Sequence, residues 1–192
     1  MKTNCVDNGI VTSYIGLGSN IGDRAGNLLL AVRGLIEASL CVTKLSAIYE
    51  TAPVDIETTE PFLNMVAEIR SENVSPSQLM ARLLRIEYLL GRTDKSLKKP
   101  RTIDLDILFF GNAVVDSAFV TIPHPRLHLR RFVLMPLAEI APDFIHPQIH
   151  RPVKSLLTDL GDTQHVVRWH PNRLTGSSPE PLDLQGVNDY SK

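Results

Sequence analysis

The segment from Pro100 to Gly111, PRTIDLDILFFG, constrains the fold of this chain more than any other stretch. It is a strongly apolar run that carries two acids two positions apart. Isoleucine, leucine and phenylalanine around Asp104 and Asp106 favour a β-strand, and the strand period of two sends Ile103, Leu105 and Ile107 to one face. Both aspartates then share the opposite face, with Cα atoms roughly 7 Å apart at about 3.3 Å per residue. Two carboxylates that close repel unless a cation lies between them. Mg²⁺ is the natural candidate, because it is hard, prefers oxygen, and takes one or two protein carboxylates while keeping waters or substrate phosphates. Arg101, three residues before Asp104, adds a planar positive fork suited to phosphate. Acids also stand on exposed strands simply to deter aggregation, so the flanking sequence has to decide.

A chain of 192 residues suits one well-packed domain and is short for two. Its 20 basic and 21 acidic residues nearly balance, with 43% hydrophobic composition, which describes an ordinary soluble protein without a nucleic-acid footprint. Any positive patch has to be local. Cys5 and Cys41 form no C-x-x-C pair and offer neither a disulfide framework nor a zinc signature, so the reducing cytoplasm is the default compartment. The first ten residues lack the apolar core of a signal peptide, and no window approaches about 18 uninterrupted apolar residues, so no membrane partner is expected.

Residues 1–10 are polar and read as an extension outside the fold. Val11–Leu17 reads as a strand running into the turn Gly16–Asn20, followed by a helix capped by Asp23 or Asn20 with an apolar stripe Leu28, Ala31, Val32, Leu35 and Ile36. Val42–Glu50 is a second strand, Thr51–Pro61 a long loop, and Phe62–Arg70 a third strand. Ser75-Pro76 opens a second helix whose stripe, Leu79, Leu83, Ile86 and Leu90, ends at Gly91. The polar, basic run Arg92–Lys99 precedes the acidic strand. The order is β-α-β-β-α-β, which predicts an α+β, ferredoxin-like sandwich with helices on one face of the sheet. There the fourth strand lies antiparallel beside the first, bringing Asp104 near Gly18 and Asn20. Additional C-terminal elements follow: a short strand near Val114, a helix over Val133–Ile140 and a helical piece at Leu156–Leu160. The domain spans residues 11–170, and 171–192 reads as a mobile tail.

Gly16-x-Gly18 with Gly22 has the wrong spacing for a dinucleotide fingerprint, and no Gly-Lys-Ser/Thr forms a P-loop. His124 and His128 stand four apart, but prolines at 123 and 125 oppose a helix and no H-E-x-x-H is present, which disfavours zinc. A histidine followed by Arg126, Arg130 and Arg131 suits an anion site, the alternative being a solvated basic surface. The basic residues Arg92, Lys95, Lys98, Lys99 and Arg101, near Glu87, suit a lid over a polyphosphate bound with Mg²⁺.

Seven collinear motifs carry a resemblance: GLGSNIGDR at 16–24, YETAPV at 49–54, FLN at 62–64, RIEYLLGR at 85–92, PRTIDLDIL at 100–108, IPHPR at 122–126 and RRFVLMPLAEIAP at 130–142. From about Val11 to Trp169 the chain resembles the 6-hydroxymethyl-7,8-dihydropterin pyrophosphokinase family of folate synthesis. The resemblance implies transfer of the β,γ-diphosphate of ATP to the pterin hydroxymethyl oxygen, releasing AMP, with two Mg²⁺ ions. It implies Asp104 and Asp106 as metal ligands and Arg92 and Arg101 as stabilisers of developing charge. Glu87, Lys95, Ile107, Thr121, His124 and Arg130 fall where the family contacts ATP. Thr51, Ala52, Val54, Phe62, Asn64 and Phe132 match the pterin pocket, with the two phenylalanines placed to sandwich the ring and Asn64 to hydrogen-bond it.

Three positions depart from the family pattern. Asp94 replaces an arginine, Lys98-Lys99 stands where tryptophan-glycine is usual, and Pro125 replaces a tyrosine. The first two make a catalytically impaired pterin- or nucleotide-binding module the alternative to an active enzyme. Small-molecule substrates and a monomer are the expected state.

Overall fold

The computed structural model describes residues 9–52, 60–92, 100–161 and 164–171. In chain order the elements are β1 (Ile10–Ser19), α1 (Arg24–Glu37), β2 (Cys41–Leu45), β3 (Tyr49–Thr51), β4 (Phe62–Glu72), α2 (Pro76–Leu89), β5 (Asp104–Phe110), β6 (Val115–Asp116), β7 (Thr121–Ile122), a 3₁₀ turn (Leu127–Leu129), α3 (Arg131–Ile140), α4 (Val153–Asp159) and β8 (Val166–Arg168). The expected tail, the two lysines at 98 and 99, and Asp94 lie outside the described residues.

One six-stranded sheet runs β5-β1-β4-β3-β8, with β2 also paired to β4. The strand expected over Val42–Glu50 is divided in two, and both halves pair antiparallel with β4. Ser46 bridges the gap: its backbone N–H donates to the Val66 carbonyl (2.9 Å), and its Oγ accepts from the Val66 N–H (2.9 Å). A side chain thus completes the ladder where the backbone departs from it, and the Val66 amide keeps a partner.

The helices start and stop as their caps dictate. Asp23 accepts from the Gly26 N–H (2.9 Å) at the head of α1, and a Cβ on Gly26 would lie only 2.2 Å from the Asp23 carboxylate. Ser75 and Gln78 form a reciprocal capping box on α2, Pro76 takes the first helical position, and Gly91 leaves the helix at φ +89°. Leu28, Ala31, Val32 and Leu35 of α1 and Leu79, Leu83 and Ile86 of α2 pack on the sheet with Ile15, Leu17, Ile103, Leu105 and Ile107. Ile36, expected in that stripe, is 58% exposed.

The two helices of the β-α-β-β-α-β unit share one face as expected, and the additional C-terminal elements cover the other. Tyr14, Val66, Leu108 and Phe109 form a second core on the opposite face with Leu134 and Leu137 of α3 and Val153 and Leu156 of α4. Apolar residues on both sides of the central strands require cover on both sides. β5 permits this through a register shift against β1: Ile15 pairs with Ile107 but Tyr14 with Phe109, leaving Leu108 as the extra residue. The bulge turns both Leu108 and Phe109 toward the second core. A further correction is that Gly16–Ser19 is strand and not turn. No helix among the described residues is long and apolar enough to cross a membrane.

Candidate active site

The antiparallel pairing of β1 with β5 sets Gly18 opposite Asp104 and Gly16 opposite Asp106. All four residues line a cavity of about 270 Å³. The glycines keep its floor bare. A Cβ on Gly16 would stand 3.3 Å from Leu108 Cδ2, and one on Gly18 would stand 3.2 Å from Asn64 Oδ1. These contacts, and no turn, account for the G-x-G spacing.

Two arginines converge on Asp104. Arg92 Nη1 donates to Asp104 Oδ1, to the Ile103 carbonyl (3.3 Å) and to Glu87 Oε1 (3.0 Å), while Arg101 Nη1 donates to Asp104 Oδ2 (2.6 Å). Glu87, 2% exposed, also accepts from the Leu105 N–H (2.6 Å), so it ties α2, β5 and Arg92 together from behind the cavity. Asn20 does the same for Arg101: its Oδ1 accepts from the Arg101 N–H (2.7 Å), and its own N–H donates to the Arg101 carbonyl (3.2 Å). Asn20 is thus a positioning residue that the sequence suggested only as a helix cap. Its signal was its place at the end of β1, beside the strand that carries the acids. The buried Nε atoms of Arg92 and Arg101 have no hydrogen-bond partner among the described residues. Buried N–H donors in that state favour an anionic ligand that would satisfy them.

The bulge at Leu108 places the His124 loop, since the Leu108 carbonyl accepts from the His124 N–H (3.1 Å). His124, Arg126 and Arg130 all face the cavity. Burial, with Arg130 and Arg126 adding, lowers the His124 pKa below 6.5 against the opposing pull of Asp106 and Asp104. The shift favours the neutral ring. Its Nδ1 accepts from the Arg126 N–H (3.3 Å), so the ring proton sits on Nε2 and makes it a donor.

The remaining wall is flat and apolar with one amide. Thr51, Ala52, Phe62, Asn64 and Phe132 line it, and Asn64 Nδ2 donates to Thr51 Oγ1 (2.9 Å). The Arg130 guanidinium lies 5.5 Å from the Phe132 ring centre, joining the basic side to the aromatic one. The fold therefore gathers Thr51, Ala52, Phe62, Asn64, Arg92, Arg101, Asp104, Asp106, His124, Arg130 and Phe132 around one cavity. Three expected residues do not line it. Glu87 stands behind Arg92, the Ile107 side chain is buried in the α1–α2 core, and Thr121 is exposed in β7, bonded to Asp116. Val54 and Lys95 lie outside the described residues.

Residues 14–142 match the family model described as 7,8-dihydro-6-hydroxymethylpterin-pyrophosphokinase (HPPK). The chain is 45% identical over 148 residues to a Bacillus subtilis protein named 2-amino-4-hydroxy-6-hydroxymethyldihydropteridine pyrophosphokinase, covering 77% of this chain and 85% of that one. It is 40% identical over 144 residues to the folic acid synthesis protein fol1 of Pneumocystis carinii, covering 75% of this chain but only 19% of that one. Among solved structures it superposes on Plasmodium falciparum HPPK-DHPS, wild type with pteroate, with a TM-score of 0.63 at 16% identity, over 79% of this chain and 44% of that one. The last likeness bears on the fold alone and agrees with the ferredoxin-like sandwich.

Proposed function

The chain belongs to the 7,8-dihydro-6-hydroxymethylpterin-pyrophosphokinase family, and from that premise we propose how its cavity moves the β,γ-diphosphate of ATP to the hydroxymethyl oxygen of 6-hydroxymethyl-7,8-dihydropterin in folate synthesis. The observation that carries the reading is the meeting, in one cavity, of the Asp104–Asp106 face and its arginines with the Thr51–Asn64–Phe132 wall. The first suits a polyphosphate and the second a flat heterocycle with an amide edge. The alternative of an impaired binding module receives no support from the relatives named above.

Asp104 and Asp106 suit Mg²⁺ by their chemistry, being hard oxygen donors on one strand face, and Asp104 would exchange its present partners Arg92 and Arg101 for the ions. They would hold two Mg²⁺ ions, whose charge would screen the triphosphate. Attack by the hydroxymethyl oxygen on the β-phosphorus forms the new O–P bond as the bond from that phosphorus to the α,β-bridging oxygen breaks; the bridging oxygen leaves with AMP and the hydroxyl proton passes to solvent. Arg92 and Arg101 stabilise the charge that grows on the transferred and bridging oxygens, with Glu87 bracing the Arg92 guanidinium and Asn20 the Arg101 main chain. His124 donates a hydrogen bond from its Nε2–H to a phosphate oxygen, with Arg130 beside it. Ile107 gives the site no side-chain contact, because its side chain is in the core. Phe62 and Phe132 hold the pterin ring, and Asn64 reads its edge. A reducing cytoplasm is the compartment this reading implies.

Replacing Asp104 or Asp106 by Asn tests the assignment. Turnover should fall by about 10²–10³, the scale for losing one preorganised electrostatic contact, while far-UV circular dichroism stays unchanged. EDTA should abolish wild-type turnover and added Mg²⁺ restore it. Wild-type rates in either variant, or turnover indifferent to EDTA, would overturn the metal assignment.

A further inference from the structure

The family match ends at residue 142, yet the sheet does not. β8 pairs antiparallel with β3, setting Tyr49 opposite Arg168, Glu50 opposite Val167 and Thr51 opposite Val166. The Trp169 N–H extends the ladder by donating to the Ile48 carbonyl (2.8 Å), and its ring packs against the α1–α2 core. Glu139 of α3 reinforces the same place, accepting from the Ala47 N–H (2.9 Å) and the Tyr49 hydroxyl (3.1 Å), with Arg168 at 4.0 Å. Residues 166–169 do not line the cavity.

β3 is three residues long and would be an edge strand without β8. So short an edge, bonded on one side only, holds its backbone poorly. It ends at Thr51, whose Oγ1 accepts from Asn64 Nδ2. That bond decides which way the Asn64 amide faces, with Oδ1 over the bare floor at Gly18. Both side chains are buried, Thr51 at 3% and Asn64 at 7% exposure, so neither has room to compensate if β3 shifts.

We propose that β8 with Trp169 is the positioning element of the pterin wall: by pairing with β3 it fixes Thr51, and through Thr51 the Asn64 amide. The inference rests on the reading of Thr51 and Asn64 as pterin contacts, and the experiment separates the two. Alternation along an antiparallel ladder makes Glu50 and Val167 the next hydrogen-bonded pair after Ile48 and Trp169, so the Val167 N–H faces β3. Val167→Pro removes that donor, whereas Val167→Thr keeps it along with a β-branched side chain. Thr51→Val removes the bond to Asn64 directly. In steady-state assays, Val167→Pro and Thr51→Val should each raise the pterin KM about tenfold, equivalent to about 1.4 kcal/mol. The ATP KM and kcat should stay within about twofold, the scale of ordinary surface changes, and Val167→Thr should behave as wild type. If Thr51→Val leaves the pterin KM unchanged, the underlying pterin reading fails. If Thr51→Val raises it and Val167→Pro does not, the role of β8 fails. A Val167→Pro variant that loses ATP and pterin affinity equally also overturns the proposal, since that is the mark of general destabilisation.

Discussion

Glu87→Gln isolates what holds Arg92. Glu87 and Arg92 are buried, with side chains 2% and 4% exposed and 3.0 Å apart, and the same Glu87 oxygen accepts from the Leu105 N–H at 2.6 Å. Glutamine keeps the shape and an acceptor for Leu105 but removes the charge facing the guanidinium. Removing one partner of a buried pair costs roughly 3–5 kcal/mol. Here Asp104 still faces Arg92, and the retained hydrogen bond offsets about 1 kcal/mol, so a net loss of about 2–3 kcal/mol is expected. Urea unfolding followed by circular dichroism measures it as a lower midpoint at unchanged slope. A double-mutant cycle with Arg92→Met should give a coupling of about 1–3 kcal/mol, within the range of residues sharing one network. kcat should fall as well, because Arg92 loses its brace. Additive effects within about 0.5 kcal/mol, or a change confined to the ATP KM with stability intact, would refute the reasoning and return Glu87 to the role of a direct ATP contact.

Three other perturbations have definite signs. Burial, with the charges of His128 and His150 adding, lowers the His146 pKa from 6.5 to about 4 while its Nδ1 accepts two backbone N–H groups. The unfolded chain then binds the extra proton between those values, so stability is full above about pH 6.5 and declines as pH falls toward 4, by up to about 3 kcal/mol. In urea midpoints taken from pH 7 to 4.5, His146→Asn should show a flatter decline than wild type, and parallel curves would refute it. Gly34→Ala places a Cβ 2.8 Å from Ile86 Cγ2 between α1 and α2. Overpacking of about 1–3 kcal/mol outweighs a helix-propensity gain of about 1 kcal/mol, so Tm should fall, and a rise would contradict the helix contact. Phe132→Ala should raise the pterin KM several-fold with little effect on ATP, and equal effects on both would count against an aromatic wall for the pterin.

Much of this architecture is legible in the chain because periodicity and caps act locally. The stripes on α1 and α2, the Ser75-Pro76 start and the acidic strand need only near neighbours to declare themselves. The face shared by Asp104 and Asp106 follows from the strand period, and the placement of Asp104 beside Gly18 from the order of elements. What escaped depends on long-range pairing. The run LFF at 108–110 looks like a continuing strand, and only its register against Tyr14 and Ile15 reveals the bulge that seats His124. β8 is three residues in a polar stretch and is a strand only because β3 offers it an edge. The positioning roles of Asn20 and Glu87 likewise arise from contacts across 81 and 18 residues, which no local pattern encodes.

The most direct measurement is the product ratio. With ATP, Mg²⁺ and 6-hydroxymethyl-7,8-dihydropterin supplied, ³¹P NMR should show AMP and the pterin diphosphate rising in equal amounts, with no reaction when the pterin is withheld. ADP as the nucleotide product, or inorganic phosphate released without pterin consumption, would contradict diphosphate transfer at this site.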